Sequence, residues 1–74
     1  MTLGEIIKTE RKRKKLTQKQ LGLLCGASHG SICEWERGSH YPNSTALVAL
    51  ATIFGERFLL SAKEARERAR KNER

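Results

Sequence analysis

A single residue, Ala27, separates a helix stop from a helix start. Gly26 closes one amphipathic segment with the residue that most easily takes the left-handed conformation at a helix end, and Ser28 opens the next with a side chain that favours the N-cap. The two flanking helices are therefore joined by a turn of about three residues.

The signals on either side agree. In Leu16-Thr17-Gln18-Lys19-Gln20-Leu21, Thr17 is the N-cap, Gln20 completes a capping box, and Leu16 and Leu21 form a hydrophobic staple. This predicts a second helix from Gln18 that buries Leu21, Leu24 and Cys25. The third, about His29 to Arg37, ends at Gly38; Ile32, Trp35 and Glu36 share one side of it, and His29, Gly30, Cys33, Glu34 and Arg37 share the other. After a loop through Ser39, His40, Tyr41 and Pro42, Asn43 or Ser44 caps a fourth helix with an apolar stripe of Leu47, Leu50, Ala51 and Phe54, closed by Gly55.

The first segment places Leu3, Ile6, Ile7, Glu10, Arg11 and Lys14 on one helix face, so Arg11 points inward and its guanidinium requires a carboxylate. From Arg57 the chain runs as a fifth helix, apolar at Phe58, Leu59 and Leu60 and then dominated by Ala and charge. Phe58, Ala62, Ala65 and Ala69 follow heptad spacing, over too short a span for a coiled coil. No apolar and polar alternation marks a strand. The fold class is all α, a compact bundle of five helices in which helices 2 and 3 form a helix-turn-helix, with residues 1–60 as the domain and 61–74 as a charged helical extension.

Seventy-four residues hold one small core and exclude a multi-domain enzyme. Fifteen Lys and Arg against eight acidic residues give a formal charge of +7, which points to an acidic polymer, nucleic acid first. The longest apolar run, Ala46 to Ala51, is far too short for a membrane span, and two cysteines without a secretion signal read as reduced thiols of a cytoplasmic protein.

The run Leu16-Thr17-Gln18 through Leu21, Gly26, Ser28 and Ile32, then Trp35-Glu36-Arg37-Gly38 and Pro42, followed by Leu47, Leu50, Ala51 and Gly55, resembles the lambda repressor and Cro-like helix-turn-helix family, also called the xenobiotic-response-element family. The resemblance spans about residues 3 to 55. It implies a five-helix fold that grips operator DNA with helices 2 and 3 and acts as a dimeric transcription regulator. It also implies that Arg11 pairs with Glu36, which the inward phase of both residues supports independently.

Carried over residue by residue, the family's base-reading positions fall on Ser28, His29, Gly30 and Glu34, and its phosphate contact on Gln18, at the unpaired N–H groups of a helix start; Lys19 and Arg37 add cations. Lys12 to Lys15 read equally as phosphate contacts or solvated charge. Gly30 serves either a close backbone approach to another surface or the tight turn. The reading face lacks the Gln, Asn or Arg that make strong bidentate base contacts, so modest discrimination is expected.

Other classes fit less well. Cys25, His29, Cys33 and His40 have no C-x-x-C pair to anchor zinc, so no metal and no cofactor is expected. Without Asp, a phosphate-cradling loop or paired carboxylates, an enzyme is not expected either. The rival reading is a protein-interaction module, an antirepressor or docking partner, with weak DNA binding. The reading adopted is a sequence-specific, repressor-like DNA-binding regulator, working as a homodimer joined around Phe58 to Leu60 on two-fold operators.

Overall fold

Side-chain caps set where the helices begin. The computed structural model describes residues 1–71 and contains α1 (Leu3–Arg13), α2 (Gln18–Cys25), α3 (His29–Arg37), α4 (Ser44–Phe54) and α5 (Glu56–Lys71), with no strand among those residues. Thr17 Oγ1 accepts from the Gln20 N–H at 3.0 Å, and Gln20 Oε1 accepts in return from the Thr17 N–H at 2.8 Å, so two donors that α2 cannot use are satisfied. Ser28 caps α3 through the Ser31 N–H, and Asn43, rather than Ser44, caps α4 through the Ala46 N–H at 2.8 Å. A further capping box joins Thr2 and Glu5 at the start of α1. The hydrogen bonds from the Thr2 N–H and then the Thr2 hydroxyl hold the Glu5 carboxyl below its ordinary range.

Helix ends follow the same logic. Gly26 and Gly38 stop α2 and α3 at φ of 72° and 83°. The end of α1 is different: Lys15 takes φ of 59°, a left-handed position that costs a side-chain-bearing residue strain, held by hydrogen bonds from the Lys15 N–H to the Lys12 carbonyl and from the Leu16 N–H to the Arg11 carbonyl.

The core draws on every helix. Leu3, Ile6 and Ile7 of α1, Leu21 of α2, Ile32 and Trp35 of α3, Leu50 and Phe54 of α4, and Phe58, Ala62 and Ala65 of α5 form one buried cluster, with the Phe54 and Phe58 rings 5.3 Å apart at 57° across the α4–α5 joint. Leu16, Cys25 and Leu47 pack against its rim. The radius of gyration, 11.5 Å, is close to the ~11 Å of a fully compacted chain of this length. No helix among the described residues is long and apolar enough to cross a membrane.

Several expectations need correction. Leu24 is 59% exposed instead of buried. At about 100° per residue the inward arc of α2 runs from Leu21 through Cys25 to Gly22, which leaves Leu24 roughly 110° from its middle. Cys25 is only half-buried, and Lys14 lies beyond the last turn of α1 and is exposed. Helix α5 starts at Glu56, one residue early. Phe58 is sealed in the core and unavailable to a partner, whereas Leu59 and Leu60 are exposed. Beyond residue 60, Ala62 and Ala65 belong to the same core as the rest. Ala69 lies outside the residues whose side chains are described.

Candidate nucleic-acid interface

Helix α3 is divided lengthwise. On its inner side Ile32 is fully buried and Trp35 is 9% exposed, while Ser28, His29, Gly30, Glu34 and Arg37 are all exposed on the outer side. The Gly26-Ala27-Ser28 turn brings the start of α2 beside the start of α3, so Lys19, Leu23, Ala27, Ser28 and His29 line one shallow notch. Arg37 lies at the opposite end of α3.

The inner side holds one charged pair. Arg11 Nε donates to Glu36 Oε2 at 2.6 Å and Arg11 Nη2 donates to Glu36 Oε1 at 3.1 Å, a bidentate grip, while Nη1 donates to the Leu16 carbonyl at 2.8 Å. The two side chains are 11% and 4% exposed, so neither charge is hydrated well enough to stand alone. Arg11 thereby ties α1, the α1–α2 loop and α3 to one another.

That pair extends outward. Gln18 Nε2 donates to Glu36 Oε1 at 3.1 Å, and Gln18 Oε1 lies 3.0 Å from His29 Nε2. A carboxylate can only accept, so Glu36 sets which end of the Gln18 amide faces it; the opposite end is then an acceptor, and His29 must donate from Nε2. A relay of four side chains, Arg11, Glu36, Gln18 and His29, thus carries orientation from the interior to the first residue of α3. Gln18 is half-buried and committed at both ends, with one Nε2 hydrogen left over.

Glu34 has its own partner. Gly38 turns the chain back so that the Ser39 N–H donates to the Glu34 carbonyl at 3.0 Å and the Gly38 N–H to the Trp35 carbonyl at 3.2 Å. The fold-back sets His40 Nδ1 2.6 Å from Glu34 Oε2, with both side chains largely open to solvent.

Glycines mark the close approaches. A Cβ on Gly22 would stand 2.6 Å from the Ala27 carbonyl oxygen, and one on Gly4 only 2.4 Å from that of Trp35, so α2 meets the turn, and α1 meets the end of α3, backbone to backbone. Gly30 differs: a Cβ there would meet only Ser28 Oγ, at 3.8 Å, and its φ is not left-handed. The tight turn therefore does not require it.

Cys25 and Cys33 are free thiols, both half-buried, and burial pushes Cys25 up. Among the described residues no group of three or more His, Cys, Asp or Glu is placed to hold a metal ion. Sequence reasoning missed Gly4, Gly22 and His40. A glycine inside a helical pattern is a usable signal of close packing, but nothing local ties His40 to Glu34 until the turn at Gly38 is built.

The fold and these faces have known counterparts. The chain is 40% identical over 53 residues to the HTH-type transcriptional regulator DicA of Escherichia coli K12, a match that covers 72% of this chain and 39% of that protein. It is 41% identical over 49 residues to Repressor protein C2 of Salmonella phage P22, covering 66% of this chain and 23% of that one. The chain therefore spans well under half the length of these two relatives. A crystal structure of the P22 c2 repressor in complex with a synthetic operator superposes with a TM-score of 0.69 at 38% identity, over 70% of this chain and 79% of that one. The family model for Helix-turn-helix matches residues 7–59, from the middle of α1 into the first turn of α5. With most of its length matched by that model, the chain belongs to the Helix-turn-helix family, in its lambda repressor-like branch.

Proposed function

We propose that this chain is the DNA-binding unit of a repressor-like transcription regulator that sets α3 into the major groove of double-stranded DNA. The observation that carries this reading is the divided surface of α3: Ile32 and Trp35 anchor it, and His29, Gly30 and Glu34 are exposed on a ridge beside the capped start of α2. A groove about 12 Å wide admits such a helix. The likeness to the operator-bound P22 c2 repressor supports the same mode.

In this reading Ser28, His29, Gly30 and Glu34 meet base edges. Gly30 offers a bare stretch of backbone whose missing side chain the fold does not demand, so its use is to let α3 sit deep in the groove. Lys19 and Arg37 hold phosphates, and Gln18 contributes its spare Nε2 hydrogen together with the free N–H groups at the start of α2. Two copies bind a two-fold operator, joined through the exposed Leu59 and Leu60 rather than Phe58.

Selection of bound sites from random duplex DNA, followed by affinity measurements over a salt series, tests this. An enriched two-fold motif with a log–log salt slope reflecting several phosphate contacts is the expected result. A steep slope with no enriched motif refutes sequence-specific recognition.

A further inference from the structure

Glu34 poses a physical difficulty on a surface meant for DNA. A bare carboxylate on the outer ridge of α3 is repelled by the phosphates it must pass, and desolvating it against a base edge is costly without a compensating charge or donor. His40 answers both requirements. The Gly38 turn delivers its Nδ1 to 2.6 Å from Glu34 Oε2, within ion-pair distance, and in its protonated form it cancels the carboxylate's charge. With Oε2 held, Oε1 is the oxygen left to accept.

We infer that His40 is a positioning residue for base recognition: it orients Glu34 through the close Nδ1–Oε2 contact so that Oε1 accepts from the exocyclic amino group of a cytosine in the major groove. This rests on the reading of α3 as the recognition helix. His40 lies three residues past the end of α3 and makes no base contact of its own in this scheme. It determines specificity through Glu34.

The pair is too exposed to matter for folding: the two side chains retain 69% and 48% of their solvent exposure. Fold stability and base preference therefore separate. Sites are selected from random DNA with the unmodified chain, His40→Ala, His40→Gln, His40→Arg and Glu34→Gln, and each protein's thermal melting is recorded. The expected result is a cytosine preference at one half-site position that Glu34→Gln abolishes. His40→Ala lowers that preference roughly tenfold with melting unchanged, and His40→Arg, which restores a cationic donor, recovers it. His40→Gln, a neutral donor, retains part. Combining His40→Ala with Glu34→Gln produces no loss beyond Glu34→Gln alone.

Failures fall in distinguishable places. No enriched motif with the unmodified chain overturns the recognition-helix reading and this inference with it. A motif with a cytosine that depends on Glu34 yet is unchanged in His40→Ala overturns the role of His40 alone. So does an equal loss from His40→Ala with and without the Glu34 carboxylate, because His40 would then act by another route.

Discussion

Glu36 and Glu34 stand two residues apart on α3, and the roughly 200° of rotation between them decides everything about their surroundings. Glu36 is 4% exposed, gripped by Arg11 and Gln18, and links helices that are distant in sequence. Glu34 is about half exposed and has a single partner supplied by the next loop. The same residue type on one short helix is a structural tie in one phase and a candidate reader in the other. Burial converts a carboxylate into an obligation, since its partner cannot be removed without stranding a charge; exposure leaves it available for an outside donor.

Four measurements press on this contrast between inner and outer faces. The largest effect is expected at the inner tie: Glu36→Ala leaves the Arg11 guanidinium unpaired and lowers stability by about 3–5 kcal/mol in a denaturant titration, while replacing Arg11 and Glu36 together by apolar residues of similar volume costs much less. Equal losses from the single and double replacements would mean that the pair itself, rather than the stranded charge, carries the energy. Next comes Gly22→Ala, which drives a Cβ to 2.6 Å from the Ala27 carbonyl, a backbone atom that cannot swing aside; a loss of about 1–3 kcal/mol is expected.

Gly30→Ala is the mirror experiment on the outer face. It should raise stability by up to about 1 kcal/mol, the ordinary helix preference for Ala over Gly, and at the same time weaken binding to the selected operator. Tighter binding by this variant would remove the argument for a bare backbone patch. The smallest effect belongs to Glu5, away from both faces. Its folded-state carboxyl titrates below the ordinary value of 4.5, so it adds stability above that value and forfeits it as pH falls through the lower folded one. The melting temperature should therefore decline slightly below about pH 4.5, and Glu5→Gln should flatten that part of the curve.

What could be read from the chain beforehand follows from how local each cause is. Thr17, Gln20, Ser28, Gly26 and Gly38 act within four residues of themselves, and the helices they bound were legible for that reason. Arg11 and Glu36 are 25 residues apart, yet both could be placed, because the family resemblance pairs them and a charged side chain on an inward face demands a partner. Leu24 went the other way. Its spacing suits burial, but a three-dimensional fact, the close seating of Gly22 on Ala27, turns α2 so that Leu24 faces out. The family resemblance and a place at a helix start predict that Gln18 is a phosphate ligand. That it also joins Glu36 to His29 depends on α2 and α3 already being docked. The His40–Glu34 pair was hidden for the same reason, behind a chain reversal whose geometry follows from Gly38 but whose side-chain meeting does not.

The four-membered relay has an evolutionary corollary. Glu36 is shielded from any ligand, but its replacement by a side chain that can donate, or that makes no bond, lets the Gln18 amide turn over and hands His29 a different proton arrangement. Preference for one promoter over another can thus drift through changes made where no ligand ever touches, and two relatives with identical outer ridges need not favour the same target.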